Sequence, residues 1–457
     1  MTDLKTVLDL HQRIALEHHA DVQQRPVRPY IDPELLASQL NVHPDTEGLS
    51  LEAIAERLAV ALAHTPATTS PRFFNQLFGG QDPAALLGEM LAPLLNTSMY
   101  TYKVAAPHVL IENALIARMA ALAGMSGGEG TFTPGGSLSN QTAMMLARNI
   151  HQEDCREEGM SGARLRIYSS AEAHYSIRKS AGILGIGRSN VVSVAADDTG
   201  RMDPVALSAA IAADRAAGHT PLMINATAGT TVQGAFDPIP ALADIAEAEG
   251  LWLHVDGAWG GSFLLSETTR HRLDGLHRAD SFTWDAHKMM GVPLTCSILL
   301  TRRPDLLTAH LSERANYLLQ GNADRYNPAT RSIQCGRRND ILKLWTAWLH
   351  HGDAGYAARI DHLVALTAHA VSIIEAAPDM TLHHRPQALN VCFTVDGCQS
   401  ADITEALHAS GLAMVGTGMV AGQKTIRLVV VNPAMTTADI DIFFAAVRQV
   451  VGELPKG

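Results

Sequence analysis

Asp256 closes the apolar run Leu251-Trp252-Leu253-His254-Val255, and Lys288 follows 32 residues later in Trp284-Asp285-Ala286-His287-Lys288. A carboxylate at a strand end and a primary amine further along the chain form a pair with a particular use. Pyridoxal phosphate needs an amine to hold its aldehyde carbon and an anion to keep its pyridine nitrogen protonated. The protonated ring then draws electrons from a bond at the alpha carbon of an amino acid. Taken alone, the pair also reads as a strand-end aspartate and a surface lysine, and that plainer reading outweighs the other until more residues are considered.

Four further groups bear on the same chemistry. Thr133-Pro134-Gly135-Gly136-Ser137-Leu138-Ser139-Asn140 opens a helix. Its glycines let the backbone approach an anion, and Ser137 and Ser139 add hydroxyls beside free helix N–H groups, which makes a phosphate cradle in form. His174, in Ala173-His174-Tyr175-Ser176, falls between a strand and a helix, where a flat imidazole could stack on a pyridine ring. Thr227, in Asn225-Ala226-Thr227-Ala228-Gly229, could reach a cofactor from another strand end, and His287 could donate to a phosphate. Arg427 is a cation inside the apolar run Ile426-Arg427-Leu428-Val429-Val430. Burial there is costly without an anion, and a substrate carboxylate in a guanidinium fork is a natural partner. Each group has a plainer structural reading: a helix cap, a core histidine, a tight turn, an edge-strand arginine.

The elements that must position these residues follow from the hydrophobic pattern. His108 to Gly124 and Ser137 to Asn149 read as long helices. Short apolar runs at Leu165-Tyr168, Val191-Val194, Leu222-Asn225, Leu251-Val255, Ser281-Thr283 and Ser297-Thr301 read as strands, with helices at Pro204-Ala217 and Pro238-Glu249 between them. Such alternation predicts crossover connections and a largely parallel sheet covered on both faces, an α/β fold. Ligands on these sheets bind at the carboxyl ends of the strands, where Asp256 and Asn225 fall. A helical region from Asp340 to Ala376, broken near Gly352, leads to a tail of two strands and two helices, expected to form a small α/β lobe.

A chain of 457 residues is too long for one compact core. We expect an N-terminal helical segment over 1–106 that forms a dimer, a large cofactor-binding domain over 107–345 and a small C-terminal domain over 346–457. The first ~70 residues could hardly bury their own core and are expected to pack on another domain or subunit. A formal charge of -11 argues against a nucleic-acid or anionic-membrane surface. Five cysteines without a C-x-x-C pair are expected to be reduced, buried thiols of a cytoplasmic protein. The opening Met1-Thr2-Asp3-Leu4-Lys5 predicts no secretory signal, and no apolar run is expected to reach the ~20 residues of a membrane span.

Together these motifs have the order and spacing of a known family. The Gly-Gly-Ser-x-Ser-Asn helix start, Ala-His-Tyr-Ser, Asn-Ala-Thr-Ala-Gly-Thr-Thr, His-Val-Asp-Gly-Ala-Trp and Thr-Trp-Asp-Ala-His-Lys resemble the group II pyridoxal-phosphate decarboxylases. Phe73-Phe74-Asn75-Gln76-Leu77, the segment Asn96 to Tyr102 and Gln334-Cys335-Gly336-Arg337 resemble the glutamate, cysteine-sulfinate and aspartate decarboxylase branch. The resemblance implies an aspartate aminotransferase-like fold of type I and an α-decarboxylase. It implies that Lys288 holds the cofactor covalently, Asp256 pairs with its ring nitrogen and His174 stacks on the ring. Ser137, Ser139 and His287 would bind phosphate, with Thr227 and Ala258 also lining the cofactor, and Arg427 would take the substrate's alpha-carboxylate. In that branch a tyrosine 29 residues after the lysine sits on a mobile loop and protonates the alpha carbon; here it is Tyr317.

The side-chain pocket of the branch varies at positions that are here Phe78, Ser98 and Tyr100, with Gln76 beside them, and the pattern resembles cysteine-sulfinate decarboxylases. Phe78 would shorten the pocket, and the hydroxyls of Ser98 and Tyr100 would serve a nearer anion. Such a pocket favours cysteine sulfinate or aspartate, giving hypotaurine or β-alanine, over glutamate or 2,4-diaminobutyrate; one methylene is worth about 1–3 kcal/mol. Three departures stand out: Lys103 where the branch usually has Glu, Val104-Ala105-Ala106-Pro107-His108 where relatives often have an aliphatic residue followed by Ala-Pro-Val, and Asp285-Ala286 where many relatives read Asn-Pro, the last expected not to touch the lysine. Transamination, an aldehyde-forming reaction and a catalytically silent scaffold are the competing readings. The resemblance also implies a homodimer with a site built between subunits.

Overall fold

The computed structural model describes residues 4–22, 24–44, 46–160, 162, 164–313 and 326–454; Tyr317 lies outside these. The chain divides into two compact units, residues 81–365 with 384–390, and residues 1–80 with 366–383 and 391–457. These boundaries differ from those expected at 106 and 345. The first 80 residues do not stand apart but share a unit with the C-terminal part.

The larger unit is built on a seven-stranded sheet. Its strands are β1 (Glu129–Thr133), β2 (Leu165–Ser170), β3 (Val191–Val194), β4 (Thr220–Thr227), β5 (Trp252–Asp256), β6 (Ser281–Asp285) and β7 (Ser297–Thr301). The order is β1-β7-β6-β5-β4-β2-β3. The five strands from β6 to β3 run parallel, while β7 is antiparallel to both β6 and β1. Every residue of β5, β6 and β7 is buried. That double-sided burial is why these strands read as continuous apolar runs instead of alternating ones. The helix Gly136–His151 crosses the sheet and packs Ala143, Met144 and Leu146 into a core with Leu165, Ile167, Met223 and Leu299.

The helix Ile341–Ala376 is long and apolar enough on composition to cross a membrane, against expectation from the sequence. Its helical path breaks at Gly352, which has φ 60° and ψ -176°. Its C-terminal part is a core helix: Leu366, Ala370, Val371 and Ile374 are buried in the smaller unit's core.

That smaller unit carries a four-stranded sheet in the order β10-β11-β9-β8. The strands are β8 (Met380–Leu382), β9 (Asn390–Val395), β10 (Gly416–Val420) and β11 (Gln423–Val429), two more than expected. Phe393, Ile403, Leu407, Ile426, Leu428, Phe443 and Phe444 fill its core. The N-terminal residues are clasped to it through the backbone. Phe74 N donates to Met414 O at 2.7 Å, Val429 N to Phe74 O at 3.2 Å, and Val27 N to Gly411 O at 3.1 Å. Arg25 closes the helix Leu51–His64 by donating to the carbonyls of Leu62, Ala63 and Thr65, which answers the helix's unpaired C-terminal acceptors. The expectation of buried cysteines holds for Cys155, Cys296 and Cys392, but Cys335 is exposed; all five are free thiols.

Candidate active site

The carboxyl ends of β4, β5 and β6 open onto a cavity of about 560 Å³ in the larger unit. Seven residues singled out from the sequence line it: Ser137, His174, Thr227, Asp256, Ala258, His287 and Lys288. The switch from strand to loop explains their convergence, since each of these parallel strands delivers its last residue to the same edge.

Asp256 ends β5 and is 5% exposed. Its Oδ1 accepts from the Ala258 N–H at 3.1 Å and its Oδ2 from Asn140 Nδ2 at 2.7 Å. Lys288 sits three residues past β6, its Nζ 3.3 Å from Asp285 Oδ2. His287 Nε2 lies 3.5 Å from the same oxygen, and its Nδ1 is fixed between the backbone N–H and C=O of Cys296. Burial lowers the His287 pKa below the ordinary imidazole value. His174 is lowered too, first by burial, with the Lys288 charge acting in the same direction and Asp256 opposing it. Its Nδ1 accepts from the Ser176 N–H at 3.3 Å, so the neutral ring carries its proton on Nε2.

The cradle sits where expected. The helix starts at Gly136 after Gly135 at φ 132°, and its first N–H groups have no partner within the helix. A Cβ on Gly136 would meet Asp285 Oδ2 at 2.8 Å and Ala258 Cβ at 3.1 Å, so only glycine leaves the space open. Ser137 is exposed to the cavity. Ser139 is not: its hydroxyl is wholly buried, 2.6 Å from Thr133 Oγ1 and 2.9 Å from Ser297 Oγ. One turn into the helix it faces the sheet and ties β1 to β7, so its expected contact with a phosphate is corrected to an anchor of the cradle. Asp285 also corrects the sequence reading, for it touches the lysine.

Ser98 and Tyr100 do not line this cavity. Ser98 Oγ accepts from the Arg337 N–H at 3.3 Å, and Tyr100 O from the Ala329 N–H at 3.0 Å. Lys103 is exposed in the short helix Tyr102–Ala105. Gln76, Phe78 and Arg427 belong to the smaller unit. There Arg427 Nη2 donates to Asn75 O at 2.6 Å, and burial lowers the guanidinium's pKa. The Phe78 ring lies 6.2 Å from that of Phe73.

Whether the cavity suits pyridoxal phosphate is tested by what its residues leave undone. The hydroxyl of Thr227 and Oδ1 of Asp285 are buried with no hydrogen-bond partner among the described residues. Beside them lie an amine, a carboxylate held by neutral donors, a neutral imidazole and a helix start cleared by glycine. That donor set fits an aromatic cation bearing a phosphate.

The sequence reading gave no role to Asn140 or His254, which form the second layer behind Asp256. The signal was present in Trp252-x-His254-x-Asp256: alternate strand residues share one face, so the polar pair points the same way.

Comparison with known proteins agrees with this chemistry. The pyridoxal-dependent decarboxylase conserved domain matches residues 33–396. The cysteine sulfinic acid decarboxylase of Mus musculus is 41% identical over 435 residues, covering 90% of this chain and 88% of that protein. The acidic amino acid decarboxylase GADL1 of Mus musculus is 41% identical over 366 residues, 79% of this chain and 66% of that protein. The crystal structure of mouse CSAD in apo form matches with a TM-score of 0.93 at 37% identity, covering 98% of this chain and 99% of that one.

Proposed function

The chain belongs to the pyridoxal-dependent decarboxylase family, and we propose that it removes the alpha-carboxylate of a short acidic amino acid. Cysteine sulfinate or aspartate is the preferred substrate, giving hypotaurine or β-alanine; glutamate and 2,4-diaminobutyrate rank behind them. The reaction class is that of a pyridoxal-phosphate-dependent amino-acid decarboxylase. The observation that carries the residue assignments is the convergence of Lys288, Asp256, His174 and the Gly136 cradle on one cavity. The substrate assignment is supported by the relatives at 41% identity, a cysteine sulfinic acid decarboxylase and an acidic amino acid decarboxylase.

When bound, the cofactor supplies an electron sink for the bond between the alpha carbon and its carboxylate. The chain's own residues do the rest. The Lys288 amine, in the cavity lining, would hold the cofactor at its aldehyde carbon. Asp256, offering its charge on the cavity side, keeps the ring nitrogen protonated. His174, its pKa lowered by burial, would stack on the ring without adding a competing cation. The N–H groups at Gly136 and Ser137, with His287, would hold the phosphate, and the Thr227 hydroxyl, without a partner among the described residues, would be free to bond to the cofactor. Arg427 binds the substrate's alpha-carboxylate, and Tyr317 delivers the proton to the alpha carbon.

The assay that tests this measures carbon dioxide release from cysteine sulfinate, cysteate, aspartate, glutamate and 2,4-diaminobutyrate under identical conditions. Cysteine sulfinate or aspartate is expected to lead. Glutamate as clear winner contradicts the substrate assignment, and no release from any of them contradicts the activity.

A cytoplasmic homodimer completes the reading, with residues 1–106 contributing to the subunit contact. Exposed apolar side chains there support it: Leu4, Val7, Leu8 and Leu16 on the first helix, and Leu87, Met90, Leu91, Leu94 and Leu95 on the helix Pro83–Leu95. The free thiols agree with a reducing compartment.

A further inference from the structure

Behind Asp256 runs a line of buried hydrogen bonds, with Thr283 Oγ1 a more distant neighbour, 3.5 Å from His254 Nε2. Asn140 Nδ2 donates to Asp256 Oδ2 at 2.7 Å and to Ser176 Oγ at 3.1 Å. Its Oδ1 is therefore the atom 3.0 Å from His254 Nε2. Turning the amide over would set two acceptors against each other at Asp256, so the network fixes its orientation. An amide oxygen has no proton to give, hence Nε2 carries one. Burial lowers the His254 pKa from 6.5 to about 4, so the ring is neutral and Nδ1 is bare. Nδ1 accepts from Ser281 Oγ at 2.8 Å, and that oxygen accepts from Trp252 Nε1 at 2.9 Å.

The local fold explains why these residues meet. Trp252, His254 and Asp256 alternate along β5 and share one face of the sheet. Ser281 of β6 stands opposite His254 in register, and Asn140 comes from the helix Gly136–His151 crossing that face. His254 is 0% exposed and Asn140 1%, so water does not substitute for either partner.

We propose that Asn140 and His254 are positioning residues for Asp256, a line of neutral donors that aims the carboxylate without cancelling its charge. The inference rests on the reading of Asp256 as the partner of the pyridine nitrogen. A cation in place of Asn140 would pair with Asp256 and draw off the charge that the ring needs. An amide with its orientation set by a neutral histidine supplies direction alone. With Ala258 N–H on the other oxygen, both carboxylate oxygens are held from the protein side.

The test uses the full-length protein and three measurements. In the wild type, ¹⁵N chemical shifts of histidine should show His254 as the neutral Nε2–H tautomer; an Nδ1–H form overturns the proposal without any variant. Next come cofactor dissociation constants and the absorption maximum of the bound cofactor. Asn140→Ala and His254→Phe should each weaken binding about tenfold to a hundredfold, the effect of one lost hydrogen bond to a charged group. Both should shift the maximum, His254→Gln should restore most of the loss, and the double variant should lose no more than either single one. Wild-type affinity in either single variant, or additive losses, overturns it. Asp256→Asn separates the two ideas. If Asp256→Asn binds like wild type, the reading of Asp256 itself fails. If it binds poorly while Asn140→Ala does not, only the positioning line fails.

Discussion

At the scale of single residues, the site is defined as much by what is missing as by what is present. Gly136 is held to glycine by Asp285 and Ala258, so Gly136→Ala should cost the cofactor about fivefold or more in affinity, since overpacking costs about 1–3 kcal/mol. Equilibrium titration checks it, and unchanged affinity would mean that the cradle is not where the phosphate sits. Thr227 offers a test with two signs. Its buried hydroxyl lacks a partner among the described residues, and removing an unsatisfied polar atom is stabilising. Thr227→Val should therefore raise the melting temperature of the cofactor-free protein while weakening cofactor binding. A lower melting temperature with unchanged cofactor binding would show that the hydroxyl has a structural partner and no ligand role. His254 gives a pH dependence. Its ordinary pKa of 6.5 applies to the unfolded chain, and its folded value is about 4. Below pH 6.5 the unfolded state takes up a proton that the folded state refuses, so stability falls with pH. The window runs from 6.5 to about 4, and at pH 5 the loss from this residue is roughly 2 kcal/mol. Denaturant unfolding at pH 7 and pH 5 should show that part of the loss disappear in His254→Phe.

At the scale of elements, a few buried polar contacts tie loops of the larger unit to its helices. Arg337 reaches both oxygens of Glu112 at 3.0 and 3.1 Å and the Met99 carbonyl at 3.1 Å. With side chains 4% and 1% exposed, the pair joins the helix Pro107–Leu122 to the segment holding Ser98 and Tyr100. Glu112→Ala leaves the guanidinium buried without its anion and should destabilise the protein by about 3–5 kcal/mol. An effect below 1 kcal/mol in chemical unfolding would show that water reaches Arg337. Much of this level was legible in the sequence. The strands β2 to β7 announced themselves as apolar runs, and the break near Gly352 was anticipated. β1 was not, because Glu129-Gly130-Thr131 reads as polar loop until β7 pairs with it. β10 carries Gly416 and Gly418, and β8 spans three residues, so neither shows a usable period. Ser139 was assigned by type and neighbourhood; only the helix's rotation onto the sheet shows that it points away. The pairing of Asn140 with His254, 114 positions apart, depends on a crossing that no local pattern encodes.

At the scale of the whole molecule, the account requires a surface that finds a second copy of itself. The apolar side chains of Leu87, Leu91 and Leu94 are exposed on one short helix, more than a free surface comfortably presents. Sedimentation should give a dimer, and Leu91→Glu combined with Leu94→Glu should convert it to a monomer with little activity. A fully active monomer would contradict the proposed subunit contact. The division of the chain also has a reading at this scale: residues 1–80 complete the small unit, so their removal should expose its core and not merely sever a dimerisation arm. The most direct test of the central claim is a single-turnover reaction of the enzyme, loaded with pyridoxal phosphate, on cysteine sulfinate labelled with ¹³C at the alpha-carboxylate. The account predicts labelled carbon dioxide and unlabelled hypotaurine in equal amounts. A keto acid or aldehyde product, or label retained in the amino acid, would contradict it.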